Sequence, residues 1–401
     1  MKYDFETMPD RRGKDAVAWD AIGTPGGPAG PKEGFDAIPM WVADMNFAVC
    51  PAIQEAIIRR VQHPAFGYFD LSQAYFDAVI RWQSTHNGVA GLEKKHIGYE
   101  NGVLGGVVSA LNVMCSKGSP VLVHSPTYIG FTGVLRNNGW HIVHSPLLKD
   151  DAGVWRMDFE DMEKKIRENG IGAAIFCSPH NPCGRVWERW ELEKAFDLFR
   201  KYDVQVVSDE IWSDLIMPGH THIPSQMVSE DAAMRTVALY APSKTFNLAG
   251  LIGSYHIIRN DSLRRRVLKE ASLCHYNDMN VLSMHALIGA YSEEGRAWLD
   301  ELLQVLHGNV RYAVDYIRTR FEDVSVFEPE GTYMLFVDCE KWCAAHGCTL
   351  KELERACWRV GVALQDGAMF NGPWSLRINL ALPLSRVKEA MERLDRYVFN
   401  S

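Results

Sequence analysis

The sequence lacks any apolar run long enough to cross a membrane. Its longest apolar stretches, such as Ala173–Cys177, cover only a few residues, whereas a bilayer-spanning helix needs ~20. The N-terminal residues MKYDFETMPDRR include acidic side chains where a secretion signal would be apolar. We therefore expect neither a signal peptide nor a membrane partner.

A disulfide framework and a broad basic surface are also absent. The chain has 9 cysteines, an odd number scattered along its length, and no segment that directs it to an oxidising compartment. Lys and Arg number 42 against 50 Asp and Glu, a net charge of -8 that disfavours a nucleic-acid partner. These features predict a cytoplasmic protein with reduced thiols.

A cluster of Cys339, Cys343, His346 and Cys348 is the one group that suggests a metal site. Structural zinc sites usually take two cysteine or histidine pairs at short spacing, and this cluster has no second pair. We expect packed thiols here and no metal.

The composition is that of an ordinary globular protein. At 401 residues, with 47% hydrophobic and 23% charged, the chain is long enough for two or three domains. Between about 100 and 260, short β-rich runs without polar alternation are separated by amphipathic stretches, which predicts a mostly parallel sheet covered by helices. The strand candidates are Val121–His124, Ala173–Cys177, Val204–Ser208, Thr236–Tyr240 and Ser254–Ile258.

After residue 260 the pattern changes to a long helical region at about 262–321, followed by shorter strands and helices. This indicates a smaller α+β domain at the C-terminus. The expected division is an N-terminal segment at 1–46 that packs with the small domain, a large domain at 47–280 and a small domain at 281–401. The fold class is α/β.

Polar side chains follow four of the predicted strands in turn: Tyr128, Asn181, Asp209 and Lys244. Ligands of open parallel sheets bind beyond the carboxyl ends of the strands. Upstream, Asn101–Gly106 is a glycine-rich helix start whose free N–H groups suit a phosphate. Each feature alone fits a cap, a turn, a core aromatic or tight packing, so the argument for one site rests on their order.

These residues, together with longer segments, resemble the fold-type I pyridoxal-phosphate enzymes of the aspartate aminotransferase superfamily. More narrowly, the chain resembles the MalY/PatB-type cystathionine β-lyases, or C–S lyases. The matching segments span nearly the whole sequence and are 4–5, 11–12, 19–20, 39–47, 66–68, 178–182, 208–210, 241–250, 330–333 and 376–380. The resemblance implies a fold-type I transferase fold, bound pyridoxal 5′-phosphate and a homodimer.

The resemblance also implies roles for the cofactor-side residues. Lys244 would carry the cofactor as an imine and move the substrate proton, and Asp209 would keep the ring nitrogen protonated. Tyr128 would stack on the ring, and Asn181 would bond its phenolic oxygen, near Trp212. The remaining cofactor positions are the phosphate ligands Gly102, Val103, Leu104 and Ser243, with Tyr68 reaching the phosphate from the neighbouring subunit.

On the substrate side, the resemblance implies that Arg377 clamps the α-carboxylate, with Asn181 beside it. A structural salt bridge is the alternative for Arg377. Ala43 matches the backbone that lies near the substrate in the family.

Three positions depart from the family pattern. Trp212 stands where aminotransferases usually have a tyrosine, and indole donates one N–H but accepts nothing. Ile252 stands where aminotransferases usually hold an arginine for the phosphate, which favours the lyase branch. Asn46 replaces the aspartate usual in that branch.

The leading functional prediction is a C–S β-lyase that converts cystathionine or a related cysteine S-conjugate to thiol, pyruvate and ammonia. An aminotransferase acting on an L-amino acid and a 2-oxoacid is the alternative, because it would use the same Lys244, Asp209, Asn181 and Arg377. A third hypothesis is a regulator that holds the cofactor without catalysis. The sequence does not distinguish among possible sulfur amino-acid substrates.

Overall fold

The computed structural model describes residues 1–274 and 276–400. The strands are β1 Ile38–Pro39, β2 Ile97–Glu100, β3 Pro120–Ser125, β4 His141–Lys149, β5 Trp155–Met157, β6 Ala173–Cys177, β7 Gln205–Asp209, β8 Thr236–Tyr240, β9 Ser254–Ile257, β10 Ser325–Val326, β11 Met334–Asp338, β12 Val362–Ala363, β13 Gln365–Asp366 and β14 Ser375–Asn379.

The α-helices are α1 Val17–Asp20, α2 Pro51–Val61, α3 Gln73–His86, α4 Val103–Met114, α5 Ile129–Asn137, α6 Phe159–Asn169, α7 Arg189–Lys201, α8 Glu230–Arg235, α9 Pro242–Thr245, α10 Asp261–Cys274, α11 Val281–Ala290, α12 Glu293–Arg320, α13 Glu340–His346, α14 Leu350–Arg359 and α15 Leu384–Leu394. The helical region expected at about 262–321 is divided into α10, α11 and α12.

Within the described residues, the large sheet has eight strands in the order β2-β9-β8-β7-β6-β3-β4-β5. The pairs from β8 through β7, β6 and β3 to β4 are parallel, and β9, β2 and β5 pair antiparallel at the two edges. Strands β6 and β8 are buried at every position, as expected for parallel strands covered on both faces. The predicted α/β fold with a mostly parallel sheet is confirmed.

Helix α4 packs closely on this sheet because Gly106 has no side chain. A Cβ there would lie 2.7 Å from Leu239 Cδ2 in β8 and 3.1 Å from Glu100 Cγ in β2. Val107 and Leu111 of the same helix are fully buried in the core. The helix N-terminus is thereby fixed at the edge of the sheet where the parallel strands end.

Strand β4 was not among the predicted strands. It begins with a histidine, has a second one at His144 and contains Pro146, and several of its residues are exposed. Since β4 lies beside the edge strand β5, its sequence lacks the continuous apolar pattern that identifies the central strands.

A second sheet, in the order β10-β11-β14-β13, is antiparallel. Separately, β1 pairs in parallel with β12, so the N-terminal segment joins the C-terminal part of the chain. The Asn309 side chain in α12 adds hydrogen bonds of 2.8 Å to the carbonyls of Leu380 and Leu382.

By internal contacts the chain forms two compact units. The first comprises Met1–Ala48, Asn181–Gly184 and Asp300–Ser401, and the second Val49–His180 and Arg185–Leu299. Residues 281–299 belong to the second unit because α11 packs on α2, where a Cβ on Gly289 would lie 2.7 Å from the Ala52 carbonyl. The predicted division at 46 and 280 stays a prediction.

No helix among residues 1–274 and 276–400 is long and apolar enough to cross a membrane. In the same described part of the chain, no three His, Cys, Asp or Glu side chains come together as a metal site. Cys339 and Cys343 are buried, and burial raises the pKa of both thiols.

Candidate active site

Three predicted site residues of the second unit lie at the ends of parallel strands of the large sheet. Tyr128 comes after β3, Asp209 ends β7, and Lys244 comes after β8. Because these strands are parallel, their carboxyl ends lie at one edge of the sheet. The structure therefore brings this part of the predicted site together.

Lys244 lies in α9, a helix of 4 residues that begins with Pro242. Proline at the first helical position has its fixed φ angle and needs no hydrogen-bond acceptor. The Lys244 Nζ lies 5.6 Å from the ring centroid of the buried Trp212, and Ser243 is half-buried in the same turn. A primary amine is thus held over an aromatic face at the sheet edge.

Asp209 is a buried carboxylate in the same region. Burial raises its pKa from 3.8 to about 7, opposed by a hydrogen bond from the Ile211 N–H and by the positive charge of Lys244. The Ile211 nitrogen lies 3.0 Å from Asp209 Oδ1. Such a carboxylate is stabilised in its ionised form by a cationic partner, which is what a protonated ring nitrogen would supply.

The pKa of Glu210, the next residue, is shifted in the opposite direction. Burial raises its pKa, but hydrogen bonds from His222 and Tyr240 and from the Ser225 N–H outweigh burial and lower the pKa overall. The donor atoms lie 2.9, 2.7 and 2.9 Å from the carboxylate oxygens. Two adjacent carboxyl groups therefore differ in their environments, and Asp209 is the one suited to pair with a ligand.

The N-terminus of α4 forms an anion cradle. Gly102 precedes the helix with φ +78°, a backbone conformation that favours glycine. At Gly130, a Cβ would lie 2.4 Å from Tyr128 Cε1 and 2.8 Å from Leu104 Cδ1, so the tyrosine ring and the first turn of α4 meet there. The first N–H groups of a helix have no intrahelical acceptor, so those of that turn, beginning at Val103, could hold a phosphate.

Hydrogen bonds stabilise the backbone before α4, and they come from residues to which the sequence assigned no role. Glu100 is fully buried, and its Oε2 accepts hydrogen bonds from Ser109 Oγ at 2.9 Å and Asn277 Nδ2 at 2.7 Å. The Asn101 N–H donates to Asn277 Oδ1 at 2.9 Å. These side chains fix the backbone immediately before the anion cradle.

Ile252 also lies beside this cradle, because its Cγ2 would be 3.8 Å from a Cβ placed on Gly102. It has φ +43°, which is unusual for a β-branched residue, and its side chain is about half exposed. An apolar side chain thus stands beside the anion cradle at the position where the sequence departs from the aminotransferases.

Arg377 lies in β14 of the first unit and is 4% exposed. Its Nη2 donates to the Trp41 carbonyl at 3.0 Å and to Gln365 Oε1 at 2.5 Å, and its Nη1 lies 3.5 Å from Asn181 Oδ1. The guanidinium lies 4.4 Å from the ring centroid of Phe370. These three hydrogen-bond partners are neutral groups, and they orient the guanidinium.

Ala43 belongs to a backbone segment that β14 and β11 hold in place. Asn379 Nδ2 donates to the carbonyls of Val42 and Asp44, both at 2.6 Å, and the Tyr333 hydroxyl donates to the Ala43 carbonyl at 3.2 Å. The segment next to Arg377 therefore has a fixed conformation.

Asn46 is explained by its hydrogen bonds. Its Oδ1 accepts from Trp19 Nε1 at 3.1 Å, and its Nδ2 donates to the Pro39 carbonyl at 3.4 Å. A carboxylate accepts but does not donate, so an aspartate here would still accept from Trp19 and from Arg11 Nη1, 3.4 Å away, but would lose the hydrogen bond to the Pro39 carbonyl. The amide suits this buried position.

Tyr68 is not packed against the other site residues. It lies in segment 62–72, which has neither helix nor strand, and its side chain is fully exposed. The segment borders an open cavity of ≈ 720 Å³, which Tyr99 and Asn277 also line. The roles of the site residues remain predictions after this description.

The chain matches the family model for class I and II aminotransferases over residues 37–394. It is 34% identical to cystathionine β-lyase PatB of Bacillus subtilis over 394 residues, which cover 98% of each chain. The solved structure of cystalysin from Treponema denticola, which contains pyridoxal 5′-phosphate, is similar with a TM-score of 0.90 and 31% identity over 99% of each chain. The pyridoxal-phosphate-bound C–S lyase from Staphylococcus hominis gives a TM-score of 0.89 at 28% identity over 100% of both chains.

Proposed function

The chain belongs to the class I and II aminotransferase family, and we propose that it is a pyridoxal-phosphate-dependent carbon–sulfur β-lyase. It cleaves cystathionine or a related cysteine S-conjugate to a thiol, pyruvate and ammonia. The observation that carries this proposal is the 34% identity to a cystathionine β-lyase over 98% of both chains.

The donor set at the sheet edge fits pyridoxal phosphate. The Lys244 amine would bind the cofactor aldehyde, the buried Asp209 would pair with the ring nitrogen, and the Tyr128 ring would stack on the cofactor face. Gly102, Val103, Leu104 and Ser243 supply N–H and hydroxyl donors for the phosphate. When bound, the cofactor provides an electron sink that stabilises negative charge at the substrate Cα.

Lys244 is the proposed catalytic base. Its amine would hold the cofactor and would remove the substrate Cα proton. Trp212 presents its aromatic face 5.6 Å from that nitrogen and so limits where the amine lies. Asp209 would pair with the ring nitrogen and would keep that nitrogen protonated.

Arg377 binds the substrate α-carboxylate through two parallel N–H groups, with Asn181 and the Ala43 backbone beside it. Its orientation by Trp41 and Gln365 limits the entropy lost on binding. The carboxylate thus fixes the substrate, while Lys244 performs the proton transfer.

We also propose that the chain acts in the cytoplasm as a homodimer in which Tyr68 reaches the phosphate of the second copy. The exposed aromatic side chains of segment 62–72 support this assembly, with Phe66 at 56% and Phe69 at 38% exposure. Apolar rings at such exposure favour burial in an interface.

Arg377→Lys is expected to raise KM for the amino-acid substrate about 10- to 100-fold while changing kcat much less. Lysine keeps the charge but loses the bidentate geometry. Steady-state kinetics with cystathionine measures both constants. Arg318→Lys, at an exposed ion pair with Glu328, is the control and should leave KM unchanged. A fall in kcat at constant KM for Arg377→Lys would contradict the assigned role.

The decisive experiment for the function is a panel of S-substituted cysteines scored for pyruvate and free thiol without added oxoacid. The lyase proposal expects both products from the chain and cofactor alone. Turnover that requires a 2-oxoacid acceptor would instead identify the aminotransferase. No turnover with any substrate, despite bound cofactor, would favour the non-catalytic regulator.

A further inference from the structure

The loop at 210–214 contacts the lysine-bearing helix α9 at two points. Trp212 lies with its ring centroid 5.6 Å from Lys244 Nζ. Asp214 Oδ2 accepts a hydrogen bond of 2.8 Å from Thr245 Oγ1. Thr245 directly follows Lys244 and is fully buried, so the residue next to the amine is tied to an acceptor on the loop.

Asp214 is itself held rigidly. Its Oδ1 accepts from Trp82 Nε1 at 3.1 Å and lies 3.4 Å from His86 Nε2. The Trp82 indole is stacked between His86, at a centroid distance of 4.9 Å, and Tyr291, at 4.6 Å. These contacts therefore fix the orientation of the Asp214 carboxylate that accepts the hydrogen bond from Thr245.

Helix α9 needs such support because of its length. Four residues form at most one turn, which is not stable through its own hydrogen bonds. After Thr245, the buried Phe246 packs on Trp82 and Trp298 at ring-centroid distances of 5.7 Å each. Thr245 and Phe246 thus anchor the turn, and the Thr245 bond is the polar anchor adjacent to Lys244.

We infer that Asp214, acting through the Thr245 hydroxyl, is a positioning residue for Lys244. It holds the lysine turn at the place from which the amine reaches the substrate Cα proton. The inference rests on the proposed function of Lys244 and adds residues that neither the family resemblance nor the sequence pattern identified. A displacement of about 1 Å at a reacting group reduces the rate as much as ~100-fold, so the effect should appear in kcat.

Thr245→Val and Thr245→Ser test this inference in the holoenzyme. Valine has nearly the shape of threonine without the hydroxyl, and serine keeps the hydroxyl. Thr245→Val is expected to lower kcat about 10- to 100-fold with KM within about twofold, and Thr245→Ser to retain kcat within about threefold. The second readout is the pH titration of the bound cofactor's absorbance, which should shift in Thr245→Val and not in Thr245→Ser.

Ser145→Ala is the matched control, because it removes a buried hydroxyl-to-carboxylate hydrogen bond outside the site, from Ser145 Oγ to Asp161 Oδ2 at 2.8 Å. It should lower the melting temperature and leave kcat and the absorbance titration unchanged. A merely structural role for the Thr245 bond predicts the same result for Thr245→Val, and that result, or equal losses of kcat in both variants, would overturn the inference. Should Thr245→Val not fold, Asp214→Asn replaces it. The NH₂ group of asparagine would then face one of the two donors, Thr245 Oγ1 or Trp82 Nε1, whose hydrogen bond the carboxylate accepts.

The two proposals fail in different ways. Wild-type protein that binds cofactor at Lys244 but releases no pyruvate contradicts the lyase function, and the absorbance titration still decides the positioning role. Wild-type protein with full lyase activity and an unaffected Thr245→Val variant contradicts the positioning role alone. Cofactor attached to a different lysine overturns the role of Lys244 and, with it, the positioning role of Asp214.

Discussion

Lys244→Ala is expected to abolish C–S cleavage, with a loss of at least about 1000-fold in kcat. The variant removes the proposed covalent anchor of the cofactor and the base that takes the Cα proton. Borohydride reduction of wild-type protein followed by peptide mapping should label Lys244, whereas the variant should carry no label. Pyruvate release measures the accompanying loss of turnover.

Lys201→Ala is the control for this variant. Lys201 lies on the surface, 60% exposed, with its Nζ 2.6 Å from Glu163. Exposed ion pairs contribute little, so activity and cofactor labelling should remain at wild-type levels. Labelling at another lysine in the wild-type protein, or normal turnover in Lys244→Ala, would exclude the assigned roles.

Asp209→Asn should change activity and stability in opposite directions. Removing one partner of a buried ion pair costs about 3–5 kcal/mol, so kcat should fall about 100- to 5000-fold as the ring nitrogen loses its carboxylate. The bound cofactor's absorbance should change with it. This prediction distinguishes Asp209 from Glu210, whose hydrogen bonds lie within the protein.

In the cofactor-free protein, the same substitution should be stabilising at alkaline pH. Burial raises the pKa of Asp209 from 3.8 to about 7, so the folded state favours the protonated form. The stability linked to this proton is fully present below about pH 4 and is lost as the pH rises through about 7. At about pH 8 the free energy of unfolding of the wild type is therefore lower by on the order of 4 kcal/mol, and the asparagine variant avoids this loss.

Urea unfolding of both cofactor-free proteins at about pH 5 and about pH 8 tests this expectation. The increase in the free energy of unfolding caused by Asp209→Asn should be larger at the higher pH. Asp231→Asn is the control, because a hydrogen bond from Arg235 lowers the pKa of Asp231, and its loss should destabilise at both pH values. A difference between wild type and Asp209→Asn that does not vary with pH would refute the protonation argument.

The central strands and their terminal polar residues could be predicted without a structure. Strands β6 and β8 match the predicted bounds because unbroken apolar runs between helices are a local property of the chain. Tyr128, Asp209 and Lys244 followed from their places after such strands. Strand β4 was missed because the burial of a strand near the edge of a sheet depends on its neighbours, which the local pattern does not reveal.

The hydrogen bonds that orient the site residues could not be predicted from the sequence. Asp214 and Thr245 are 31 residues apart, and Arg377 and Trp41 are 336 apart. No residue pattern states which carboxylate receives a given hydroxyl, or which carbonyl orients a guanidinium. Hydrogen bonds require specific distances and angles, and these arise only when the backbone is folded.

The amino-acid sequence by itself determined the α/β class, the order of the strands along the chain and the residue types available for chemistry, because apolar patterning and turn residues act over short stretches. Tertiary structure alone decided how protons are distributed and how side chains are oriented. The pKa values of Asp209 and Glu210 move in opposite directions although the two residues are adjacent, because one lies beside few donors and the other beside several. Burial and hydrogen bonding belong to the three-dimensional surroundings of a group, and the same residue type acquires a different chemistry in each.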